Sequence, residues 1–326
     1  MAEITPSGLA SRISIYLTTK SNWWAGLPGN VRGGIWMLCA AFVFTIMVSL
    51  IKVVGQRLHI AEILFFRQII MLTFIAPVII HNFPDILKTS QPKLHAARIC
   101  FAALAMLMGF SAFIFLPLAD ATTIGFAKSF FTTIFAIIFL KEVVGVRRWV
   151  AMVLGFVGVV VVLSPGVGGE LVNIYGLMAL TGAACAAMVM IIIRVLSRTD
   201  KPITLLAYQG VGVGLLVMPL AIYYWQTPTL PELVLLMIIG GVSIFAQMGN
   251  ILAFRAGEAS SVAPVEYVRL IYAVAIGFFA FGHWPDARVF IGAGIIIGAA
   301  VYTIHRESRL GKKQASVDRV GTGGLR

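Results

Sequence analysis

Residues 109–148 read GFSAFIFLPLADATTIGFAKSFFTTIFAIIFLKEVVGVRR, and residues 249–288 read GNILAFRAGEASSVAPVEYVRLIYAVAIGFFAFGHWPDAR. With a slip of one residue, Lys128 falls on Arg269, Glu142 on His283 and Arg147 on Arg288. Two apolar segments resemble each other through composition alone, but that does not align their charges at matched depth. The stretches read as copies of one unit about five membrane-length runs long. An odd number of spans turns the second copy upside down relative to the first. Inverted repeats of this kind characterise secondary transporters, whose substrate site lies near the midplane between the halves.

Composition supports the membrane reading. Of 326 residues, 60% are hydrophobic and 12% charged, with a mean hydropathy of +0.96. Soluble domains carry about 45–50% apolar and about 25% charged residues, so the surplus must face lipid. A membrane helix needs about 20 mostly apolar residues, and such runs fall at 33–54, 62–80, 94–117, 121–140, 148–164, 172–194, 203–224, 231–255, 260–281 and 287–305. The expectation is an all-α membrane protein with ten transmembrane helices in two inverted five-helix repeats. Its parts are a cytoplasmic N-terminal segment (1–32), the first repeat (33–164), the second (172–305) and a basic cytoplasmic tail (306–326). The N-terminal segment carries Trp23-Trp24 as interfacial anchors and lacks the apolar core of a signal peptide.

The net charge of +12 comes from 25 Lys+Arg against 13 Asp+Glu. Placing the N-terminus in the cytoplasm gathers most basic loop residues on that side. The other side receives only Lys52, Arg57 and Arg288. This positive-inside pattern places both termini in the cytoplasm of a multi-pass inner-membrane protein. Charge spread over loops rather than gathered into a patch also excludes nucleic acid as a partner. Cys39, Cys100 and Cys185 show no CxxC pair and read as small core residues.

The chain resembles the drug/metabolite transporter superfamily, in its EamA-type ten-helix branch. In the first half the resemblance rests on Glu62-Ile-Leu-Phe-Phe-Arg67, Lys141-Glu142, Arg147-Arg148-Trp149, Gly155-Phe-Val-Gly158 and Ser164-Pro165-Gly166. In the second it rests on Ala253-Phe254-Arg255-Ala256, Ala263-Pro264-Val265-Glu266-Tyr267 and Phe281-Gly282-His283-Trp284-Pro285. His283 departs from the Glu usual at that place in the family. The resemblance implies a secondary active transporter of small organic metabolites. Within that range a riboflavin-like vitamin or S-adenosylmethionine-like cargo is favoured over export of amino acids, opine metallophores or toxic compounds.

Charges inside a span cost about 2.5–3.5 kcal/mol each on the insertion scale and mark functional positions. Arg67, Lys128, Glu266 and Arg269 are such residues. Lys128 and Arg269 approach the midplane from opposite ends of their spans, roughly 10 and 13 Å in at about 1.5 Å per residue. Glu266 and Arg269, three apart, share a helix face. They read either as a local ion pair or as a site with Glu266 as substrate or proton ligand and the cations holding acceptor groups. Arg67 reads as structural or gating, with Glu62 or Asp120 as partner. Gln247 and Asn250 either line a cavity or bond across helices, and Tyr267 suits a planar cargo. Gly292, Gly294 and Gly298, like Gly210 and Gly214, read as close helix packing.

No phosphate-binding GxxxxGK[ST] loop, metal constellation or enzymatic motif is present. The expectation is therefore a transporter rather than an enzyme or channel, with no cofactor and no metal. Its partners are a small-molecule substrate, the lipid bilayer and protons as coupling ion; a homodimer stays open.

Overall fold

The apolar runs fold as helices because they bury their own backbone hydrogen bonds, the condition for crossing lipid. The computed structural model describes residues 27–81, 83–84, 88–141, 146–163, 174–197, 199–257 and 262–298. Most of the N-terminal segment, the basic tail, Glu142 and Ser164-Pro165-Gly166 lie outside them.

In chain order the helices are α1 (Gly29–Val54), α2 (Ile60–His81), α3 (Pro92–Phe115), α4 (Leu118–Gly125), α5 (Lys128–Leu140) and α6 (Val146–Leu163). The second half holds α7 (Ile174–Leu196), α8 (Pro202–Tyr223), α9 (Leu230–Ala256), α10 (Val268–Phe281) and α11 (Ala287–Gly298). A short 3₁₀ turn, Ala263–Tyr267, leads into α10. Among the described residues, seven segments are long and apolar enough to cross a membrane, with α4 and α5 counted together. The chain is an all-α membrane protein. Its flanks expose Phe74, Phe245, Ile271 and Phe279, an apolar belt suited to lipid.

Two expected spans differ from the prediction. The fourth is not one continuous helix: it breaks at Phe126-Ala127, between α4 and α5. The ninth opens as the 3₁₀ turn, where Pro264 withholds a backbone donor, before becoming α10.

The packing repeats itself across the two halves. The most extensive contacts are α1 with α9 and α3 with α7, which exchange when the halves are exchanged. The α2–α8 and α4–α10 contacts map onto themselves, while α5–α7 maps onto α10–α1. The correspondence extends to single residues. A Cβ on Gly182 of α7 would stand 2.7 Å from the Gly109 nitrogen on α3, and one on Gly249 of α9 would stand 2.9 Å from Ala40 Cβ on α1. Gly109 and Gly249 are the first residues of the two similar stretches. Small residues at both crossings let the backbones approach, the usual way helices associate in lipid. Gly158 and Gly292 do the same between α6 and α11, and Gly210 meets Met71 and Leu72 of α2. Among the described residues Gly294 and Gly298 meet nothing within 4 Å, unlike Gly292.

Helix α1 begins at what is called here the near end and finishes at the far end. Lys52, near the finish, turns inward and donates to the carbonyls of Ile114 (2.9 Å) and Leu116 (2.7 Å). It thereby satisfies acceptors that the end of α3 leaves open.

Candidate functional site

The two interrupted helices bring their charges together. Lys128 is the first residue of α5, Arg269 the second of α10, and Glu266 lies in the turn before α10. Lys128 Nζ stands 3.4 Å from Glu266 Oε1, and an Arg269 guanidinium nitrogen stands 3.2 Å from the same oxygen. The halves thus meet through three charged side chains, two cations on one carboxylate. Discontinuous helices near the midplane are where transporters of this architecture hold substrate and ions.

Aromatic rings surround the triad. The Arg269 guanidinium lies over the Phe44 ring of α1 at 4.1 Å, a cation–π contact. Phe126, from the break in the fourth span, meets Tyr267 edge-on at 4.8 Å, and the Tyr267 hydroxyl shares a hydrogen bond with Ser129. The triad is not sealed: the Lys128 and Glu266 side chains keep 34% and 25% of their exposure. Arg269 Nε is buried with no acceptor among the described residues. Arg32, Arg67 and Arg98 share this feature, so it does not by itself set Arg269 apart.

The remaining candidates have other partners. Arg67 of α2 does not pair with Glu62 or Asp120. Its guanidinium sits over the Phe110 ring at 5.6 Å and 3.5 Å from Met106 Sδ, both on α3. Gln247 donates to Met71 Sδ at 3.5 Å, and Asn250 turns back to the Ala246 carbonyl of its own helix. Gln247 thus bonds across to α2, while Asn250 bonds within α9.

Two polar clasps, unforeseen from sequence, close the ends of the bundle. At the far end, Arg57 in the α1–α2 connection donates from Nε to Glu232 Oε1 at 2.6 Å and from a terminal nitrogen to Glu232 Oε2. Glu232 also accepts from Thr229 N and Oγ1 at the start of α9. The signal available in sequence was Thr229-Leu-Pro-Glu232, a capping box that fixes a carboxylate at a helix start. At the near end, Asp200 in the α7–α8 connection meets His95 Nε2 at 2.7 Å and accepts from Thr89 Oγ1 at 2.7 Å. These side chains are almost fully buried, at 1% and 3% exposure. Burial alone would raise the Asp200 carboxyl, but hydrogen bonds with His95, Thr89 and Thr199 outweigh it and hold the group below its ordinary value. Next to it, Arg98 donates to the Leu205 carbonyl and to Gln209 Oε1. Each clasp joins a connection between the first two helices of one half to the start of the third helix of the other half.

With this geometry in hand, comparison with known proteins is informative. The EamA-like transporter family matches the chain twice, over residues 31–164 and 173–304. The chain is 30% identical over 283 residues to the S-adenosylmethionine uptake transporter of Rickettsia prowazekii, covering 87% of this chain and 96% of that protein. It is 25% identical over 292 residues to the riboflavin transporter of Vibrio cholerae, covering 88% and 97%. A crystal structure covering 85% of this chain and 97% of its own aligns with a TM-score of 0.55 at 16% identity, a likeness of fold alone.

Proposed function

The chain belongs to the EamA-like transporter family and is a small-metabolite transporter; from that premise we propose that it carries an S-adenosylmethionine-like cargo by alternating access. The reading rests chiefly on Glu266, a carboxylate open to a guest and already faced by two cations. A cargo with a fixed positive group, acceptor atoms and a flat ring complements that site. The sulfonium of S-adenosylmethionine faces Glu266, its acceptor atoms face Lys128 and Arg269, and its purine lies among Phe126, Tyr267 and Phe44. Riboflavin offers the flat ring and the acceptors but no cation, so it complements the site less well. The relative at higher identity supports the same choice.

The clasps supply the alternation. Opening Arg57–Glu232 exposes the site from the far end, and opening His95–Asp200 exposes it from the near end. Arg32, Lys93, Arg98, Arg194, Lys201 and Arg255 lie at or close to near-end helix termini, which by the positive-inside rule supports a cytoplasmic near end. In this reading the membrane is the inner membrane.

The test is counterflow in proteoliposomes preloaded with unlabelled S-adenosylmethionine. Saturable entry of labelled S-adenosylmethionine, weakly inhibited by riboflavin, is expected. Stronger inhibition by riboflavin would make the vitamin the cargo. Flux that rises linearly with concentration would indicate a channel and refute alternating access.

A further inference from the structure

Glu62, in the first turn of α2, is fully buried at 0% exposure. Its Oε2 accepts from the Gln226 backbone nitrogen at 3.3 Å, while its Oε1 has no hydrogen-bond partner among the described residues. Among the described residues no cation pairs with it directly. The charged groups that act on it are Arg57 and Glu232, the two halves of the far-end clasp. The other groups beside it are aromatic or uncharged at rest: His59 stacks on Tyr224 at 4.2 Å, and Trp225 lies 5.8 Å from Phe66. The triad does not need such a group, since Glu266 already has two cations.

We propose that Glu62 is a proton-binding site through which the pH on the far side sets the Arg57–Glu232 clasp. An unpaired carboxylate sealed from water is costly to hold as an anion, whereas a proton on Oε1 removes the charge and requires no cation. With Glu62 protonated, Arg57 is held by Glu232 alone and the far end is closed. When the O–H bond breaks, the proton passes to water at the opening far end, and the carboxylate left behind competes with Glu232 for Arg57. Reprotonation from the same side releases Arg57 and lets the clasp re-form. The inference rests on the transporter reading above but not on the identity of the cargo.

The experiment compares wild type with Glu62→Gln in proteoliposomes, using labelled S-adenosylmethionine at a series of pH values on the far side and one fixed pH on the near side. Wild-type uptake is expected to change several-fold with far-side pH. In Glu62→Gln the ratio of uptake at the two ends of that series falls to about one. A variant that responds like wild type, or a wild type indifferent to far-side pH, overturns the proposal. Infrared spectra of the purified protein read the site without any cargo. A carboxylic-acid C=O band in wild type is expected to disappear in Glu62→Gln, and no difference in that band overturns the proposal. If wild type shows no S-adenosylmethionine flux but the band is lost, the cargo assignment fails while the proton site stands.

Discussion

Lys128 and Arg269 reach the same oxygen, Glu266 Oε1, from opposite halves of the chain, at 3.4 and 3.2 Å. They also hold matching places in the two similar stretches of sequence, each at the start of a helix that resumes after an interruption. A repeat at the level of sequence has therefore become a shared site at the level of structure. The single carboxylate breaks the symmetry and gives the triad one negative pole, which in the proposed reading faces a positive cargo group.

The helix crossings predict a sharp contrast among glycines. Gly182→Leu forces a side chain against the Gly109 backbone and should destabilise the protein by about 1–3 kcal/mol, the usual scale for overpacking. Gly249→Leu, at the matching crossing, should behave alike. Gly294→Leu meets open space and should stay near wild type. Apparent melting temperatures of the three purified variants check this; equal effects at Gly182 and Gly294 would refute the close approach.

Much of this architecture was legible beforehand, and the reasons are physical. Long apolar runs and the spacing of Glu266 and Arg269 are local signals: the runs became membrane-length helices and the spacing an ion pair at 3.2 Å. The break at Phe126-Ala127 follows only a lone Gly125, a residue that helices also tolerate internally. The clasps join residues 175 positions apart for Arg57 and Glu232 and 105 apart for His95 and Asp200. No periodicity reports such a pair. Arg67 illustrates the converse: its charge implied an acidic partner, yet Phe110 and Met106 of α3 receive it.

Orientation gives a second prediction. Reporter domains fused after Ser90 at the near end and after Pro228 at the far end should appear on opposite sides of the membrane, with Ser90 cytoplasmic. Reporters on the same side would contradict the ten-span topology, and an inverted pair would contradict the positive-inside assignment.

The near-end clasp predicts an acid dependence whose sign follows from Asp200. Its folded carboxyl lies below the ordinary aspartate value. The contribution is therefore complete above that ordinary value, about 4, and is lost as pH falls further through the depressed folded value. Asp200→Asn should lower stability at neutral pH by about 1–3 kcal/mol, the scale of a charged hydrogen bond. The gap between wild type and variant should close below about pH 4. Melting curves across pH check both; a gap that persists unchanged into acid would show that Asp200 contributes no charge.

The triad predicts two separable effects. Glu266→Gln leaves Lys128 and Arg269 facing each other without a counter-charge, a change that costs about 3–5 kcal/mol when such groups are buried and less here, because Glu266 and Lys128 keep part of their exposure. Lys128→Met combined with Glu266→Gln removes that repulsion and should recover folded yield. A purely structural ion pair would recover transport along with the yield; a cargo site would recover the yield alone.

The most direct measurement is counterflow of labelled S-adenosylmethionine by the folded, monodisperse fraction of Glu266→Gln and of the Lys128→Met/Glu266→Gln double variant, matched in amount to wild type. Both are expected to lose at least about tenfold in rate, the scale of one charged contact to the cargo, however much protein folds. Counterflow at the wild-type rate by either folded variant would contradict the assignment of Glu266 as the cargo's ligand.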